Sequence, residues 1–68
     1  METIVKFIDR HLELANKYTD CASIYFDQAF GALMFYCENN LKDEPTLQEL
    51  WETTYRPKFE TIVYGEEL

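Results

Sequence analysis

Few side chains in this sequence could do chemistry. There is one histidine, His11, and there are two cysteines, Cys21 and Cys37; in the apolar middle of the chain the best carboxylate pair is Asp27 with Glu38. A histidine can act as a general base or a metal ligand. A helical metal site at His11 would need an acid or a second histidine one turn away, and those positions hold Phe7, Ile8, Leu14 and Ala15. On a helical wheel His11 falls at the centre of an apolar face, between Ile4, Phe7, Ala15 and Tyr18. The packing reading is a core histidine whose ring nitrogens meet a tyrosine hydroxyl or a carbonyl.

A Cys–His nucleophile pair fares no better. Two antiparallel helices joined by a short loop would set Cys21 about two turns from His11 and Cys37 farther still. Both thiols read as small core residues. The spacing also opposes a disulfide, because sixteen positions along one helix separate the sulfurs by roughly 24 Å, far beyond bridging distance. Asp27 and Glu38 are eleven positions apart, about 16 Å along a helix axis, too distant for paired acid–base work. No glycine-rich phosphate loop, CxxC, HExxH or G-x-S-x-G occurs. The sequence therefore predicts no enzyme, no metal site and no cofactor.

The elements that would position these groups are all helical. Over 3–17, Ile4, Val5, Phe7, Ile8, Leu12, Leu14 and Ala15 face away from Glu2, Lys6, Asp9, Arg10, Glu13 and Lys17, the pattern of an amphipathic helix. Thr3 is its expected N-cap, and Glu2–Lys6 and Glu13–Lys17 are favourable i,i+4 pairs. The second helix, 20–39, opens on Asp20 as N-cap. It carries a thin polar stripe of Asp20, Ser23, Asp27, Gly31 and Glu38, with Ala22, Ala29 and Ala32 opposite. The rest of its circumference is apolar, and such a helix is normally embraced by more than one neighbour. Gly31 marks either a break or a close crossing. Asn39 and Asn40 form its C-terminal cap.

After a loop ending at Pro45, Thr46-Leu47-Gln48-Glu49 matches the capping box, so a third helix is expected over 46–56. Pro57 would clash with the Thr53 carbonyl and lacks an N–H. Phe59, Ile62 and Val63 are also out of phase with Leu47, Leu50 and Tyr55. A kink and a short fourth helix over 57–64 follow, closed by Gly65, and Glu66, Glu67 and Leu68 form a tail. The fold class is all-α: a small three-helix bundle with a Pro57-kinked fourth helix, one helical domain spanning 1–68.

Thirteen acids against six bases give a net charge of −7, of which residues 1–34 carry −2 and residues 35–68 carry −5. That balance opposes direct binding to nucleic acid, which needs cations to displace counterions, and to anionic membrane surfaces. No window is long and apolar enough for a membrane span or signal peptide, and unpaired thiols suit a reducing compartment, so a cytoplasmic protein is expected.

Aromatic residues make up 16% of the chain, a surplus for 68 residues. Either they make a strong core or some face a partner. Tyr25, Phe26, Phe30, Met34, Trp51, Tyr55 and Phe59 are the expected interface residues, with core packing the alternative for Trp51 and Tyr55. The function this supports is an adaptor or regulatory subunit acting through protein contacts, self-associating as a homodimer, with a further protein partner. Two other classes remain open at this level: an acidic nucleic-acid mimic that inhibits a nucleic-acid-binding protein, and a minimal metal-binding or thiol protein using His11.

Overall fold

Apolar side chains recurring every three or four positions build the first two helices, and the computed structural model, which describes residues 2–65, shows them paired lengthwise. The first helix, α1, spans Glu2–Lys17 and buries Ile4, Ile8 and Ala15. Thr3 lies inside it and is not its N-cap, because the helix already includes Glu2. On the outer face Lys6 pairs with Glu2 at 3.1 Å, with both side chains largely in solvent, where such pairs contribute little. Lys17 instead lies over the ring of Tyr18, 5.4 Å from its centroid.

The chain turns through a 3₁₀ segment, Thr19–Cys21, and enters α2, Ala22–Asn39. Asp20, the cap expected for α2, sits within the 3₁₀ turn, and the N-cap position is Cys21 with no side-chain hydrogen bond. The reason is local. Cys21 N–H donates to Tyr18 O at 2.9 Å and Ala22 N–H donates to Thr19 O, so short-range backbone bonds occupy donors that a side-chain cap would otherwise serve. α2 runs unbroken through Gly31. At its far end the expected asparagine cap is present: Asn39 Nδ2 donates to Phe35 O at 2.8 Å, and Asn40 Nδ2 donates to Tyr36 O at 3.1 Å. Each asparagine thus bonds a carbonyl one turn back, and Asn40, at the C-cap, has φ −137°, outside the left-handed region.

The third helix begins earlier than the capping box implies. α3 spans Glu44–Leu50 with Pro45 in its first turn, where a missing N–H costs nothing. Thr46 is therefore already helical, and the N-cap is Asp43, which makes no side-chain cap bond. Its carboxylate accepts instead from Tyr36 Oη at 2.8 Å, a tertiary bond to α2. α3 passes directly into a π turn, Trp51–Tyr55, and that into α4, Arg56–Tyr64, so the three stretches form one third helix with no loop before Pro57. The whole is an all-helical, three-helix bundle among the described residues.

The π turn explains the phase problem in the sequence. Leu47, Trp51, Tyr55 and Phe59 are all buried, each four positions after the last. In a plain α-helix each four-residue step overshoots a turn by about 40°, so Phe59 would be about 120° from Leu47. A π turn takes one extra residue, and Arg56 N–H accordingly reaches five positions back to Trp51 O. That removes about 100° of drift and returns Phe59 to the face of Leu47. Gly65 ends the helix at φ 65°, a left-handed conformation that glycine adopts without strain.

The core joins all three helices. Ile4, Ile8 and Ala15 meet Ala22, Ala29, Leu33 and Cys37, and Leu47, Trp51, Tyr55 and Phe59 close it from the third side. Phe26 lies between two of these aromatics, with ring centroids 5.8 Å from Trp51 and 5.4 Å from Phe59. Alanines at 15, 22 and 29, each at most 1% exposed, let the first two helices pack closely where the aromatic rings fill the other side.

Candidate interaction surface

The titratable side chains singled out in the sequence are placed as follows. His11 sits half-buried on the seam of α1 and α2. Its Nδ1 is 2.9 Å from Phe7 O and its Nε2 is 3.1 Å from Gln28 Oε1. The tautomer with the proton on Nδ1 donates to the Phe7 carbonyl, and its Nε2 accepts from the Gln28 amide once that amide is turned over. The ring stacks on Phe7 at 4.0 Å and meets the edge of Tyr25 at 5.8 Å. Both nitrogens are thus engaged within the fold, and neither cysteine is among their partners. Among the described residues no group of three or more His, Cys, Asp or Glu side chains could hold a metal ion.

Cys21 is exposed and Cys37 buried, near opposite ends of α2. Burial pushes the Cys37 thiol pKa up, and the nearby Glu44 and Asp43 carboxylates add to the effect, so the nucleophilic thiolate is disfavoured. Asp27 and Glu38 are both exposed, on the outer side of α2.

Two tyrosine hydroxyls carry further tertiary polar contacts. Tyr55 Oη donates to Asp9 Oδ1 at 2.6 Å, linking the third helix to α1. Burial, together with that bond to a carboxylate, holds its phenol protonated and pushes its pKa up to about 12. Tyr36 is shifted in the same direction, chiefly because its hydroxyl donates to Asp43. Such shifts can mark active sites, but they arise equally in structural hydrogen bonds, and here each phenol is simply a donor to one acid.

The bundle leaves several large apolar side chains uncovered. Of the seven interface residues expected from sequence, Trp51, Tyr55 and Phe59 are in the core, and Tyr25 and Phe26 are half-buried between helices. Phe30 and Met34 remain exposed, at 46% and 39%, with Phe30 leaning on Trp51 at 5.6 Å. Six further large hydrophobic side chains among the described residues, missing from that expectation, are exposed: Ile24 at 53% and Phe35 at 70% on α2, Phe7 at 40% on α1, and Tyr18, Leu41 and Tyr64 elsewhere on the chain. Ile24 and Phe35 lie to one side of Gly31 on the α2 wheel, within about 40° of it. That position beside the polar stripe was the available signal, and it points to solvent.

Two grooves border α2. One, of about 240 Å³, lies between α1 and α2 and is lined by Thr3, Ile4, Phe7, Ala32, Phe35 and Tyr36. The other, of about 190 Å³, lies between α2 and the third helix beside Phe30, Met34 and Trp51. No family model matches the chain, and no curated protein or solved structure shows significant similarity to it. Among the described residues no helix is long and apolar enough to cross a membrane.

Proposed function

We propose that this protein is a non-enzymatic adaptor or regulatory subunit that works through protein–protein contact and self-associates. One observation carries the reading: with all three helices docked, Ile24, Phe30, Met34 and Phe35 on α2 are still 39–70% exposed. A helix exposing that much apolar surface on two sides has more to cover than its own chain supplies, and contiguous apolar patches on small proteins mark interaction sites. The engaged ring of His11 and the disfavoured Cys37 thiolate support a non-catalytic role. An exposed Cys21 and a buried Cys37 suit a reducing compartment, and the reading includes the cytoplasm.

The nucleic-acid mimic is disfavoured by Arg56. Its guanidinium pairs with Glu52 at 3.0 Å and Glu60 at 3.7 Å, so a cation interrupts the acidic edge of the third helix. Light scattering or sedimentation across a concentration series tests self-association. We expect a concentration-dependent increase in mass, and a monomer at tens of micromolar would end the reading.

A further inference from the structure

On α2, Ile24, Gln28, Gly31 and Phe35 follow one another at spacings of four, three and four, and all are exposed. At about 100° per residue they share one narrow stripe on the side away from the core. Gly31 is the anomaly within it. A methyl group built on Gly31 would meet nothing within 4 Å, so nothing in the chain's own packing calls for glycine in mid-helix. Glycine there leaves room for a close approach from outside, since the distance between crossing helices is set by the side chains at the contact.

We propose that this stripe is where two copies of the chain meet, their α2 helices crossing antiparallel about a two-fold axis between Gln28 and Gly31. The proposal rests on the self-association reading and adds its face, orientation and register. The four–three–four spacing reads the same in both directions. A two-fold axis at its centre therefore sets Ile24 of each copy level with Phe35 of the other, and Gln28 level with Gly31. Self-complementarity of this kind is what an isologous dimer requires. Ile24 then arrives at the mouth of the groove formed by Phe7, Ala32 and Phe35. Gln28 keeps its bond to His11 while its methylenes cross the bare backbone at Gly31.

The area is adequate for a weak, reversible dimer. Phe35, Ile24 and Phe7 are 70%, 53% and 40% exposed. At on the order of 150–250 Å² per large side chain they offer roughly 300 Å² of apolar surface per copy. The protein's surface is 4870 Å². A dimer that covered about a tenth of that on each copy would bury roughly 1,000 Å² in all, below the about 1,200 Å² at which stable interfaces begin and within the weak, transient class. Asp27 and Glu38 lie along one edge of the stripe, so four carboxylates share one rim of the dimer. Repulsion among them is screened by salt. Association therefore tightens as ionic strength rises, opposite to an interface held by ion pairs.

Three variants test the register, measured by sedimentation equilibrium with circular dichroism as the check on folding. Gly31→Gln is expected to keep or raise helicity and to weaken the dimer at least tenfold. Ile24→Lys and Phe35→Glu are each expected to weaken it similarly. An equimolar mixture of the two is expected to recover a heterodimer, because the new ammonium group of one copy would face the new carboxylate of the other. A wild-type monomer at tens of micromolar would overturn both this proposal and the reading beneath it. A wild-type dimer indifferent to Gly31→Gln but lost with Phe30→Glu would overturn the register alone and leave self-association standing. A dimer that weakens with added salt, or variants that fail to cross-rescue, would equally sink the antiparallel crossing.

Discussion

Tyr55 shows how one hydroxyl can be read for stability. Its pKa is about 12 in the fold against about 10 when unfolded, so the folded state keeps the proton more tightly. The stabilisation is therefore complete below about pH 10 and is lost as pH rises toward 12. We expect thermal stability to fall across that window. Tyr55→Phe should flatten much of the fall while costing about 1.5–3 kcal/mol at neutral pH, the usual worth of a hydrogen bond to a charged group. The residual slope belongs to Tyr36 and the Cys37 thiol, both shifted in the same direction. Thermal melts of both proteins from pH 8 to pH 12 check this. His11 invites the opposite experiment. Its partners, a helical carbonyl and an exposed amide, keep other partners when the ring is removed, and its neighbours Phe7 and Tyr25 are apolar. His11→Leu should leave the melting temperature unchanged or slightly higher, whereas a histidine with a ligand role would instead cost metal binding or activity.

At the scale of the helix, the π turn is the feature that the sequence held in plain view without naming. The periods of α1 and α2 are legible because every core position obeys one repeat. The third helix changes repeat in mid-course, and a fixed 100° wheel turns that change into an apparent loss of phase at Phe59. Pro57 makes a kink and a new helix the natural explanation, yet a wider turn just upstream restores the face without a loop. The caps differ from expectation for a related reason. Asp20 and Thr46 each have a competing role, in a 3₁₀ turn and in the interior of a proline-started helix, and Asp43, which stands at the N-cap of α3 in place of Thr46, is the acceptor for Tyr36. Capping rules weigh the local alternatives and cannot see the tertiary one. The π turn also has a direct test. Deleting the exposed Thr53 together with Pro57→Ala converts the turn to ordinary α-helix and keeps Phe59 on the face of Leu47. We expect that variant to retain its helical circular dichroism and a cooperative melt. Deleting Arg10 from α1, where no extra residue is available to absorb the loss, should unfold the protein by turning Ile4 and Ile8 away from Ala15.

For the molecule as a whole, composition foretells an aromatic-rich bundle but not which aromatics face out. Trp51, Tyr55 and Phe59 belong to a core shared by three helices, and only the arrangement of those helices decides that. Ile24 and Phe35 are left outside because α1 and the third helix dock on the other side of α2. A chain of 68 residues gains little stability from its core alone. In the proposed dimer part of its stability would come from association, which makes the melting temperature depend on concentration. We expect it to rise with protein concentration for the wild type and to be concentration-independent for Ile24→Lys.

The bond from Tyr55 to Asp9 also has a meaning in time. It spans 46 positions of sequence, whereas α1 and α2 are neighbours joined by a three-residue turn. Contacts between adjacent helices form with little loop-closure cost, and those that fasten the last helix onto the first wait until the chain has closed. The phenol and its acid would then act after the rate-limiting step, so that their loss shortens the lifetime of the folded protein and leaves the speed of folding nearly unchanged.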